Sequence, residues 1–135
     1  MINIDTIRAD LAAALDLAAL DLAGVEIYTD LPGSLTTPAV VVGLPSAITF
    51  EQAYTLGVVE LPLTVVTGPM FNSKAETQLM AIALTVAAAV RNVRTAVVLA
   101  CRFVSIDETT EMAVSDQVPM YSCNVNVQIT TRTQE

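Results

Sequence analysis

Histidine and tryptophan are missing from this 135-residue sequence, and lysine occurs once, at Lys74. Without histidine there is no Ser-His-Asp triad and no Cys-His pair. The two cysteines, Cys101 and Cys123, are too far apart for zinc-ligand spacing. The opening MINIDTIRAD carries acids early and no apolar leader core, so two cysteines do not imply a disulfide framework; both read as small buried thiols. Phosphate-binding Gly-rich loops of the G-x-x-x-x-G-K-[ST] or G-x-G-x-x-G kind are missing. The six bases, Arg8, Lys74, Arg91, Arg94, Arg102 and Arg132, are scattered, whereas nucleic-acid binding needs them clustered. The longest uncharged helical run, Thr77 to Val90, falls short of the ~20 residues that span a bilayer. These absences predict a soluble chain made in the cytoplasm, with no membrane partner, cofactor, metal or catalytic centre.

Charge is scarce as well. Charged residues are 15% of the chain, against about 25% in ordinary domains. Hydrophobic residues reach 53%, above the usual ~45–50%. Such a balance suits a subunit with apolar surface to share. The net charge of −8 is uneven: residues 1–60 hold eight acids and one base, residues 61–135 six acids and five bases. Asp107, Glu108 and Glu111 could hold a divalent cation, but a solvated acidic loop is the far commoner reading. Asp5, Asp10, Asp16 and Asp21 split to two flanks of one helix and cannot converge on an ion.

Every glycine lies at or before Gly68, and only Pro119 follows Pro69. The first half is therefore turn-rich with short elements, and the second should be a helix and long strands, all in a single domain, 1–135. A first helix is expected from Ile4 to Ala23, stopped by Gly24. Ile4, Ile7, Leu11, Leu15, Ala18 and Leu22 form its core stripe. Ala9, Ala13, Leu17 and Leu20 share the opposite ridge, which reads either as a partner surface or as the exposed side of a shorter helix. Strands are expected over Val25–Thr29, Ala39–Leu44, Ile48–Leu56, Val58–Thr67, Val97–Val104 and Met120–Arg132. In Ile48–Leu56, Phe50 and Tyr54 share a face, as core residues or interface anchors.

A second helix opens at Ser73, where Ser73-x-x-Glu76 fits a capping box. Its core stripe is Ala75, Leu79, Ile82, Ala83, Val86, Val90 and Val93. Its other side, Thr77, Ala81, Leu84, Thr85 and Ala88, is small and uncharged where a solvated helix would carry Lys and Glu. That side is the best sign of a subunit contact. At the chain's end Cys123, Val125, Val127 and Ile129 alternate with Asn124, Asn126, Gln128 and Thr130. In Val97–Val104 the inward set is expected to be Val97, Leu99, Cys101 and Phe103. Residues 105–117 read as a polar connection. The fold class is α+β: a mostly antiparallel mixed sheet with two helices packed on it, plus a β-arm or hairpin.

The stretch GVVELPLTVVTGP, residues 57–69, sets a puzzle. Val59, Leu61, Leu63 and Val65 should be buried against a helix. Glu60 and Pro62 stand on the other, wetter face, in the middle of a strand. Proline lacks the N–H that a ladder needs, so an open or bulged edge is expected at Pro62, with Glu60 guarding that edge against wrong pairing.

The order of "TPAVVVGLP", a polar arm, "ELPLTVVTG", "FNSKAETQLMAIALTVAAAV" and "YSCNVNVQI" resembles the tail terminator (tail completion) proteins of long-tailed bacteriophages. The resemblance covers most of the chain and is one of pattern, without a diagnostic motif. It implies a homo-oligomeric ring, a hexamer, that caps the tail tube at the neck end of the virion. Its partners would be the major tail tube protein and the head–tail connector, with DNA passing through the hole unbound. The interface candidates are Leu17, Leu20, Phe50, Tyr54, Ala81, Leu84, Thr85 and Ala88. The alternatives are a cytoplasmic oligomeric module binding a small molecule between sheet and helices, and another head–tail joining or minor tail protein.

Overall fold

The clean apolar–polar alternation at the chain's end forms the spine of the sheet. In the computed structural model, which describes residues 2–17, 25–29, 38–50, 56–69, 73–91, 93–112 and 119–132, two helices and seven strands follow in the order α1 (Ile4–Leu17), β1 (Glu26–Tyr28), β2 (Ala39–Val42), β3 (Ala47–Phe50), β4 (Leu56–Pro69), α2 (Ser73–Val90), β5 (Ala100–Ile106), β6 (Thr110–Met112) and β7 (Met120–Arg132). The side chains of Asp16, Leu17, Phe50, Pro69, Ser73, Met112 and Arg132 are outside this description.

β4 and β7 pair antiparallel along nearly their whole length, from Leu56↔Arg132 to Pro69↔Met120. On the far side of β4 lie β2 and β3, end to end; on the far side of β7 lie β5 and β6. β1 joins β2 in parallel and completes one mixed sheet. The expected α+β class, mostly antiparallel, is the observed one, and β3 with β4 supplies the hairpin.

Both helices cover one face. Period-two burial on β4 and β7 sends Val59, Leu61, Leu63, Val65, Cys123, Val125, Val127 and Ile129 inward. They meet Leu79, Ala83, Val86 and Val90 of α2 and Ile7, Leu11 and Leu15 of α1 in one core. Each fully buried Leu or Ile contributes about 1.5–3 kcal/mol relative to exposure. α1 starts where Asn3 Oδ1 accepts the Thr6 N–H at 3.1 Å, an N-cap that satisfies one of the helix's orphan donors. The half-buried Arg8 then ties α1 to the sheet by donating to the carbonyls of Thr29 and, at 3.0 Å, Val42.

β2 is buried at every position. Val40 and Val42 face the helices, while Ala39 and Val41 join Val66, Met120 and Tyr28 in a second small cluster on the other face. A continuous β-branched run is what two-sided burial demands.

Two expectations need correction. β5 begins at Ala100 rather than Val97, because Thr95 forms a turn first: its hydroxyl accepts the N–H of Val97 and Val98, and its own N–H donates to the Val98 carbonyl. Val98, not Val97 or Leu99, is therefore the buried residue. The connection 105–117 contains β6, three polar-flanked residues with no alternation to betray them. The described part of the first helix runs to Leu17; Ala18, Leu22 and Gly24 are outside the described residues.

Candidate interaction surfaces

α2 carries the most telling surface. Alanine, leucine and β-branched residues at three- and four-residue spacing bury one side on β4, β7 and β5. The opposite side presents Thr77, Met80, Ala81, Leu84 and Ala88 to solvent, with Leu84 57% and Met80 42% exposed. Thr85 is half-buried, and its hydroxyl is turned back onto the Ala81 carbonyl at 2.9 Å. The bond removes a donor from a ridge that already lacks charge. Lys74 and Arg91, both exposed, mark its two ends. On α1, Ala9 and Ala13 are exposed as well.

Of the sequence candidates, Ala81, Leu84, Thr85 and Ala88 thus come together on one ridge. Leu20 and Tyr54 are outside the described residues, as are the side chains of Leu17 and Phe50. Met80 was missed. It lies one turn before Leu84 and shares its exposed side.

The space between sheet and helices is filled, among the described residues, by side chains with almost no exposure. A depression of about 370 Å³ opens to solvent instead between the helices, at Asp10, Ala13, Ala14, Ala89, Val93, Arg94 and Thr95. Small side chains on both helices leave it unfilled. The Asp10 carboxylate there already accepts the Thr95 hydroxyl at 2.6 Å.

Beyond Met120, the face away from the helices is polar along β7. Thr64 donates to Asn124 Oδ1 at 2.8 Å, and Asn126 Nδ2 donates to Ser105 Oγ at 3.1 Å and Asp107 Oδ1 at 2.9 Å. Asp107, Glu108 and Glu111 are exposed, and no group of three or more Cys, Asp or Glu among the described residues could hold a metal ion. Nor is any described helix long and apolar enough to cross a membrane. Both cysteines are buried. Burial pushes the Cys101 thiol up to about 11. Burial, and then the nearby Asp107 carboxylate, raises that of Cys123.

At Pro62 the expected break is present. On the β7 side the ladder is regular through Pro62↔Asn126. On the other side β2 stops at Val42↔Leu63 and β3 starts at Ala47↔Glu60, so four residues, 43–46, stand against two. The Pro62 carbonyl accepts the Gly43 N–H at 2.9 Å. Its missing N–H faces the same interruption, since both groups of one strand residue point to one side. Glu60, however, guards no open edge. Its backbone carbonyl accepts the Ser46 N–H at 2.8 Å, and β3 covers that flank.

No protein-family model matches the chain, and no curated protein matches it.

Proposed function

We propose that the chain is a structural subunit of a phage virion, assembled in the host cytoplasm into a six-membered ring. The ring caps the tail tube at the neck end and joins it to the head connector, and DNA passes through it. The observation that carries this reading is the uncharged ridge Thr77–Met80–Ala81–Leu84–Ala88, exposed on a domain whose core, among the described residues, is already filled. A helix meant for water would place charges there, and small residues let a second backbone approach closely. A closed ring needs two different patches per subunit that meet head to tail. The exposed alanines of α1 offer a second one. The order of elements along the chain, similar to that of tail terminator proteins, supports the same conclusion.

The test is assembly. Native mass spectrometry and negative-stain imaging, with the protein alone and mixed with preformed tail tubes, should find rings of six. In Ala88→Arg the subunit should stay folded by circular dichroism and form none. A wild-type chain that stays monomeric or dimeric in both settings overturns the ring. A ring-forming Ala88→Arg removes α2 from the interface.

A further inference from the structure

Glu60 remains unexplained by the fold or by the ring. It sits mid-strand, exposed, and its carboxylate has no partner among the described residues. The surroundings give it a use. Around it lies a depression of about 300 Å³, lined by Ser46, Glu60, Leu61, Val104, Ser105, Asn126 and Val127. Leu61 and Val127 point their side chains into the core, so they contribute backbone as its floor. Two strand irregularities flank it. On one side the extra residues 43–46 bring Ser46 beside Glu60. On the other, a bulge between Phe103↔Val127 and Ser105↔Asn126 pushes out Val104, which is 47% exposed. Bulges bend the sheet and re-aim side chains where they occur.

The chemistry of the lining is one-sided. Ser46 Oγ donates to the Glu60 carbonyl at 3.3 Å, which leaves its lone pairs outward. Asn126 spends its Nδ2 on Ser105 Oγ and on the acceptor-only Asp107 carboxylate. That fixes which end of the amide is nitrogen and turns Oδ1 away as a free acceptor. Glu60 adds a full negative charge. Val104 gives an apolar wall against which an alkyl stem can lie. Acceptors and negative charge, with one greasy side, suit a donor-rich cation on a short hydrocarbon chain.

We infer that the depression between Ser46, Glu60, Ser105 and Asn126 is a binding site for a guanidinium or primary ammonium group. The group belongs either to a small polyamine-like molecule or to an arginine side chain of a second copy of this chain. This inference does not depend on the ring, and either can fail without the other.

Agmatine, which carries both cationic groups on a four-carbon stem, is the probe. Titrated at low ionic strength into ¹⁵N-labelled protein, it should shift the amides of Ser46, Glu60 and Ser105 and the Asn126 side-chain NH₂. The shifts should saturate with a Kd on the order of 1–10 mM, fitting for so small and solvent-open a ligand. Glu60→Gln should weaken binding by at least about ten-fold, the loss of a charge-assisted bond. Glu108→Gln, an exposed acid elsewhere, should leave it unchanged. Absence of saturable shifts at these residues, or equal binding by Glu60→Gln, overturns the site. The source is decided by sedimentation. If saturating agmatine lowers self-association, an arginine of a second copy is the occupant; an unaltered profile assigns the site to a free diamine.

Discussion

At the scale of single residues, the two cysteines show how burial sets chemistry. Cys101 stands opposite Ile129 on β5, and Cys123 opposite Val65 on β7. Six residue steps along β7 separate Ile129 from Cys123, about 20 Å at the usual strand rise, so the two thiols cannot bridge. Both are held protonated by desolvation. The unfolded chain loses its thiol protons near pH 9 and the folded one only near pH 11 at Cys101. The stability this contributes is complete below pH 9 and is lost as pH rises toward 11. Urea midpoints measured at pH 7, 9 and 10.5 should therefore fall more steeply for the wild type than for Cys101→Ala. Native protein should react negligibly with a thiol reagent at pH 8, and unfolded protein with two equivalents. Identical pH slopes, or rapid labelling of the native form, would contradict the inward register of both strands. That register was legible in the sequence, because alternation about Cys123 is strict. For Cys101 it was legible only locally, since the turn at Thr95 shifts the residues before it.

At the scale of elements, the long strands and α2 could be read off because each has an uninterrupted period. β4 was readable in spite of Glu60 and Pro62, which alternate with the buried set. What those two residues do was not readable. The break at Pro62 involves Gly43 to Ser46, which lie far earlier in the chain and meet it only through strand register that no local pattern announces. Gly43 shows how tightly the break is made. A Cβ added there would lie 2.8 Å from the Pro62 carbonyl oxygen and 2.9 Å from its Cγ. Neither belongs to a side chain that can swing away, as one is backbone and the other a ring. Gly43→Ala should thus cost about 1–3 kcal/mol, the usual penalty of overpacking, read as a lower urea midpoint with an unaltered slope. A midpoint equal to that of the wild type would mean that β2 and β3 move apart freely, and that the bulge is not held by Pro62. Strand β6 escaped notice for the opposite reason: its three residues are too few to show a period at all.

At the scale of the whole molecule, the candidate site was half legible. Ala81, Leu84, Thr85 and Ala88 could be named because helical spacing is local, whereas the acceptor-lined depression joins Ser46, β4, β7 and β5 and exists only through register. The same distinction bears on charge. Arg91 and Arg94 follow α2 on the helical layer, while Arg102 stands opposite Gln128 on the other face of the sheet. The sheet's own thickness keeps them apart. Arg8 is engaged with two carbonyls, and Lys74 sits at the far end of α2. The fold therefore does not gather these five bases into a stripe, and the net charge of −8 repels phosphate. Electrostatic binding to duplex DNA loses about 0.9 in log–log salt slope for each phosphate contact not made. Fluorescence anisotropy with a labelled 30-base-pair duplex should accordingly show no binding above background from about 50 to 200 mM salt, the range over which such contacts are most visible. Such indifference is what a channel wall requires of a proposed ring through which DNA must slide rather than stick. A salt slope of several units would instead mean that assembly brings Arg91, Arg94 and Arg102 of neighbouring copies together, and DNA would become a ligand of the ring.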